Sequence, residues 1–536
     1  RSITIGNDVV LGSSVSIDTT NRGLLTAGNG VTVTGLIEDT VGESNSLTIR
    51  GGTTGNIDLQ GAIGVTENIA GLTIVNALNL NLSDVTVEAN GNVTQTSGTG
   101  TTTVNGTLVT SGSGSVQLTT NRNIVLNSGT SITTVDGGVA LTSNPVGNQV
   151  GGFIGIFADN ATIRTIGTGN ISLTARGGND AGTGSHIGVL LQNGTTVSST
   201  LAGATGGTIT IVGTGGTGTS NNSGVDVRDA TTVVQSIGGD ISIVGSGANG
   251  SGTDNQGVVV QNAAAIVSTG TADIVISGTA TTGVGVELNT SGSIGGGAAA
   301  GDITLTGDSV VLSGSVNVQS SGVLTIAPQT ASTNLNLGTG ATDAGLQLDA
   351  LELAVLSDGF SSIIIGDSTN GTGTVTIDNA TFVDDVAIVG GSISVTQLTA
   401  NDTADNPDGT GLQNVTLTAR TGNITDGENA SATDVTGALV TLNAEAGAIG
   451  QATGVGNEAI ELAADTLVTD STNGTNNGNQ FLTEADSLTW NSSSAGSGTI
   501  TISSGRFNVG DGETITTGSV LVTGGTLGGE GTVTGS

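Results

Sequence analysis

Three aspartates in close succession, Asp402, Asp405 and Asp408 in NDTADNPDGTG, come closest in this sequence to a ligating group. Carboxylate oxygens are hard donors, and such a run suits a divalent ion of the calcium type. The same stretch also reads as a Pro-Asp-Gly turn carrying solvated charge, because Asn, Asp, Gly and Pro are the principal turn formers. Neither strong calcium pattern backs the metal reading, since no EF-hand loop and no GGxGxDxUx nonapeptide occurs. The one histidine, His186, lies in GGNDAGTGSHIG with Arg176 and Asp180 nearby. An imidazole beside a carboxylate is material for acid–base chemistry, but this glycine-rich setting reads first as a solvated corner loop. Sequons such as Asn105-Gly-Thr107 and Asn370-Gly-Thr372 carry little weight in a chain so rich in Asn, Ser and Thr. No catalytic residue and no cofactor is expected, calcium at the three aspartates apart.

Whatever these residues do must be positioned by a repeat. IGIFADN from Ile154, IGVLLQN from Ile187, SGVDVRD from Ser223, QGVVVQN from Gln256 and VGVELNT from Val284 align on Gly155, Gly188, Gly224, Gly257 and Gly285. NISL at Asn170, TITI at Thr208, DISI at Asp240, DIVI at Asp273 and DITL at Asp302 form a second ladder. Self-similarity at a near-constant period, here about 33 residues with a shorter last step, marks a solenoid, in which a unit cannot bury its apolar face alone. The unit GDISIVGSGANGSGTDNQGVVVQNAAAIVSTG from Gly239 holds three short β-rich runs between Gly, Ser, Asn and Asp, and none has helical periodicity. The predicted fold is all-β, a parallel β-helix (β-solenoid) with about three short strands per coil. A period of two points Ala158, Leu191, Val227, Val260 and Leu288 inward, and Phe157, Leu190, Asp226, Val259 and Glu287 outward. Asn160, Asn193, Asp229 and Asn262 recur where the strand must turn, and Asn and Asp tolerate the left-handed region required there.

Composition supports this architecture. Of 536 residues 93 are Gly and 1% are aromatic, while Tyr, Met, Cys and Lys are absent. A bulky globular core cannot be built from that set, whereas stacked coils need only Val, Ile, Leu, Ala and Thr. Regular alternation with 35% hydrophobic residues argues against disorder. A net charge of −35 with nine basic residues excludes ordinary nucleic-acid binding and disfavours anionic membranes. No apolar run approaches the roughly 20 residues of a membrane-spanning helix. Arg1-Ser2-Ile3 is neither an initiator Met nor a signal peptide, so a longer parent chain is expected.

Four stretches differ in style. Irregular coils are expected over 1–150, the regular repeat over 151–328, further irregular coils over 329–495, and short terminal repeats over 496–536. Leu346 to Leu356 is the one place where a short helix competes with strand.

DALELAVLSDGFSSIIIGDSTNGTGTVTID from Asp349 resembles a repeat unit of very large bacterial exoproteins related to filamentous haemagglutinin, as does LTARTGNITDGENASATDVTGALVTLNAEAGAIG from Leu417. GGTLGGEGTVTGS from Gly524 is similar to the short repeats of autotransporter passengers. The resemblance implies secretion, a bacterial cell-surface location, and adhesion or matrix roles. The NPNL and NPNG motifs of the family's amino-terminal secretion domain and its carboxy-terminal barrel are missing, so only the shaft is implied. Parallel β-helix enzymes resemble the chain in architecture alone, and the Lys and Tyr they commonly rely on are absent. The expected role is a non-catalytic shaft of an adhesin-like protein. The alternatives are a self-assembling filament, sheath or surface-layer subunit and, behind both, a polysaccharide-acting enzyme. Expected partners are other copies end to end, the rest of the parent chain, or cell-surface and matrix glycans, with no nucleic acid and no membrane insertion.

Overall fold

The computed structural model describes residues 1–203, 205–339, 345–402, 411–428, 432–451, 459–473 and 476–535. Strands dominate, and almost all of them pair in parallel with the strand one coil away. The chain is a parallel β-helix. The strands that carry the GV ladder are β1 (Ile156–Asp159), β2 (Val189–Gln192), β3 (Val225–Arg228), β4 (Val258–Gln261) and β5 (Val286–Leu288). Ile156 pairs with Val189, Val189 with Val225, Val225 with Val258 and Val258 with Val286, which reproduces the glycine spacing of the sequence step for step. Ala158, Leu191, Val227, Val260 and Leu288 form the second inward column, each fully buried.

Local chemistry explains the recurring letters. A Cβ on Gly188 would run into the Thr214 amide and the Gly224 carbonyl, and one on Gly224 into the Ser246 amide and the Gly257 carbonyl. The backbone of the neighbouring coil passes too close for any side chain. Asn160, Asn193, Asp229 and Asn262 take φ of 46°, 56°, 75° and 56°, so these corners are left-handed, as expected. Inside the bore Thr134, Thr165, Ser199, Ser236 and Ser268 stack in register as a column of buried hydroxyls.

One expectation about β2, β3 and β4 needs correcting. Their middle residues point outward, yet Leu190, Asp226 and Val259 are only 1%, 3% and 2% exposed. The long glycine-rich loops ahead of each strand supply Ile187, Asn221, Ser223 and Asp254 to the same surface as Asp226, Val259 and Glu287. These loops roof the outer face, so alternation alone misjudges its exposure.

By internal contacts the chain forms two compact units, Arg1–Ile303 with Ser313–Val318, and Thr304–Leu312 with Gln319–Ser536. In the first unit the ladder crosses residue 150, where Ile124 pairs with Ile156. Coils before that point are shorter, as in the step from Leu80 to its partner Thr102. In the second unit Leu346–Leu348 is a strand and is followed by helix α1 (Ala350–Leu353). Asp349 caps the helix, accepting from the Leu351 and Glu352 amides at 2.8 and 2.9 Å while Glu352 accepts from the Asp349 amide at 2.9 Å. Further on lie β6 (Ile424–Asp426), β7 (Val435–Ala444), β8 (Ile460–Asp470) and β9 (Gln480–Ser494). In the last coils Trp490 and Phe507, both fully buried, meet edge to face at 5.4 Å between ring centroids.

Register makes a test. Deleting residues 239–271 joins Gly238 to Ala272 and brings Ile274 onto Ile209 and Val286 onto Val225, so the melting temperature should change little. Inserting one residue after Gly239 turns Ile241 and Ile243, both fully buried, out of the bore. That exposure costs about 3–6 kcal/mol, and circular dichroism melts should show a far larger loss for the insertion. Equal losses would mean that the period carries no structural register.

Candidate functional site

The sequence candidates come first. Asp402 is buried, 6% exposed, and its amide donates to the Gly411 carbonyl at 2.6 Å. Asp405 and Asp408 lie outside the described residues. His186 is not in a solvated corner: it is fully buried beneath the loop roof. Its Nδ1 lies 2.8 Å from the Thr217 carbonyl, which can only accept, so the Nδ1 proton is donated there. Nε2 is 3.1 Å from the Thr183 hydroxyl, which in turn lies 2.9 Å from Asp180 Oδ2. Asp180 and His186 are thus joined through Thr183. Hydrogen bonds from the Gly182 amide and the Thr183 hydroxyl hold the Asp180 carboxyl below its ordinary range. The histidine also anchors a corner, since the His186 amide donates to Asn222 Oδ1 at 3.2 Å and Asn222 Nδ2 to Asn255 Oδ1 at 2.8 Å. Buried and committed to the roof, it has no approach for a substrate. Arg176 ends its strand with an exposed side chain.

Sequence reasoning missed two sites. The first is a polar cleft of about 250 Å³ on the roofed face of β3, β4 and β5. Asp226 Oδ2 meets Arg228 Nη1 at 3.5 Å and Oδ1 accepts from Gln261 at 3.1 Å. Glu287 accepts from Gln256 and Asn289, both at 2.7 Å, and Gln256 from Ser223 at 3.0 Å. Burial pushes the Asp226 carboxyl up to about 6, against the pull of Arg228 and Gln261. Each carboxylate here already has its donors, and no aromatic ring lines the cleft. In SGVDVRD an acid between two valines reads as an ordinary outward residue; only the roof makes it unusual.

The second site lies in the other unit. Asp426 ends β6, Asp434 immediately precedes β7 and Glu461 is the second residue of β8, and one carboxylate oxygen from each lies within 4.8 Å of the others. Asp434 Oδ2 accepts from the Glu461 amide at 2.9 Å and Asp426 Oδ1 from the Glu428 amide at 2.8 Å. Burial drives the Asp434 carboxyl far above its ordinary range, and the neighbouring Glu461 and Asp426 charges add to the rise. One coil on, Glu484 is 1% exposed and burial pushes its carboxyl up to about 7. Glu461 and Glu484 share the wall of a pocket of about 410 Å³. The separation of Asp434 from Glu461 equals one local coil, the step from Val440 to its partner Leu467. That signal is legible only once the coil length is known.

Asp226 supports a pH test. Its folded value of about 6 stands above the ordinary 3.8, so between about pH 4 and 6 the folded chain binds a proton that the unfolded chain does not. This contribution is fully present below pH 4 and is lost as pH rises through 6. Asp226→Asn should flatten the stability profile across that window, by at most ~3 kcal/mol. Denaturant melts of both chains at several pH values measure the difference; parallel profiles would contradict the burial argument.

Comparison with protein-family models, with curated proteins and with solved structures finds no match for this chain.

Proposed function

We propose that this chain is the non-catalytic extracellular shaft of a large adhesin-like protein on a bacterial surface, supporting cell adhesion or matrix formation. The single observation that carries the reading is the ladder itself. Coil after coil, side chains are spent on the coils above and below. The inward columns are apolar, the corners are set by Asn and Asp, and the polar groups on the roofed face hydrogen-bond one another from rung to rung. A recognition surface draws on exposed aromatic or Arg anchors. Here Phe153, Phe360, Phe382, Phe507 and Trp490 are buried and Phe157 and Phe481 half-buried. Partners in this reading are other copies of the chain end to end, the rest of a parent chain, and surface glycans. The excess of 44 acidic over nine basic residues keeps like chains apart at low salt. The runner-up is a self-assembling filament, sheath or surface-layer subunit, supported by the same ladder.

The polar cleft at Asp226 and Glu287 is one place where the enzyme alternative can be tested. Incubation with acidic and neutral polysaccharides should release no new reducing ends. Release of reducing ends that disappears in Asp226→Asn would overturn the shaft reading in favour of an enzyme.

A further inference from the structure

Three carboxylates carried at the ends of three strands of the second unit converge on one point, in a part of the chain that offers no nitrogen or sulfur ligand nearby. We propose that Asp426, Asp434 and Glu461 bind a single calcium ion, clamping β6, β7 and β8 together. The site is distinct from the aspartate run at 402–408, and it does not depend on the shaft reading.

The geometry fits the ligand class. Two oxygens bound to one calcium ion lie at most about 5 Å apart, twice a metal–oxygen distance of about 2.3–2.6 Å. The three carboxylate oxygens all fall within 4.8 Å of one another. Magnesium, with bonds near about 2.1 Å, would need them within about 4.2 Å and in near-octahedral order. A cluster of acids alone would not suffice, because repulsion is also relieved by protonation. The second observation is a buried oxygen. Asp434 is 0% exposed, and its Oδ1 has no hydrogen-bond partner among the described residues. A buried carboxylate oxygen without a donor carries a desolvation cost that a cation offsets. The pocket of about 410 Å³ bounded by Glu461 and Glu484 admits the waters that complete a coordination shell of six to eight oxygens.

The placement also gives the ion a structural role. Asp434 and Glu461 sit at neighbouring rungs, with the Asp434 amide donating to the Glu461 carbonyl at 2.9 Å, while Asp426 comes from a different sheet of the same coil. An ion held by all three ties one corner of the solenoid together, where the ladder alone leaves Asp434 buried beside two other acids.

The experiment uses the whole chain, stripped with chelator and titrated with calcium chloride by isothermal calorimetry in about 150 mM salt, so that screening of the general negative charge is already saturated. Wild type should bind one ion with saturation, and calcium should raise its melting temperature more than equimolar magnesium does. Asp434→Asn and Glu461→Gln should each weaken binding about tenfold or more and lose the calcium-specific rise. Two independent variants, each checked for its β spectrum, guard against one that fails to fold. The triple variant Asp402→Asn, Asp405→Asn, Asp408→Asn should bind as wild type does. Several outcomes overturn the proposal: no saturable heat in wild type, equal effects of magnesium and calcium, or binding that survives Asp434→Asn and vanishes in the triple variant. A calcium-indifferent wild type that is no more stable than Asp434→Asn would instead mean two carboxyls sharing a proton, and also overturns it.

Discussion

Parallel backbone pairing in fixed register is the interaction on which everything else in this chain rests. A strand of three or four residues has no stability of its own. Stacked on an equivalent strand one coil away, it completes its hydrogen bonds and places Val on Val and Leu on Leu. Val225 stands between Val189 and Val258, and Val227 between Leu191 and Val260, all fully buried. Because side chains alternate every two residues, the register admits no slip of one. The scarcity of aromatic bulk follows, since a narrow bore filled in layers has little room for it. Trp490 and Phe507 are two of the few buried rings, and they meet edge to face in the last coils.

The same register puts identical polar groups on top of one another, which helps at some places and is costly at others. Neutral groups profit where they find partners: Asn222 donates to Asn255, and in the hydroxyl column Ser236 and Ser268 donate to the Gly239 and Gly270 carbonyls, whereas the buried Thr134, Thr165 and Ser199 hydroxyls have no partner among the described residues. Acids do not. Asp434 above Glu461 brings like charges one rung apart in a buried place, and Asp226 is roofed over by loops with Arg228 as the cation beside it. A solenoid with 44 acidic residues must keep nearly all of them outside.

Much of the fold was legible because its signals are local. Glycines such as Gly188 and Gly224 mark where two backbones touch, Asn160 and Asn193 mark left-handed corners, and the repeat step is a distance in the sequence as well as in space. What remained hidden depends on more than one coil. Nothing in NDAGTGSHIG says that the loop folds back over the sheet, so His186 read as solvated although it is fully buried. Nothing in DVTGALV or IELAAD says that Asp434 and Glu461 meet Asp426, because that requires knowing the local coil length, which differs from that of the regular repeat.

The most direct measurement of the central claim is amide hydrogen exchange followed by mass spectrometry across the whole chain. An in-register ladder predicts slow exchange in every strand of the regular repeat, such as Val225–Arg228 and Val258–Gln261, alternating with fast exchange in the loops and recurring once per coil. Rapid, featureless exchange through those strands, as expected of a disordered chain rich in Gly, Ser, Thr and Asn, would contradict it.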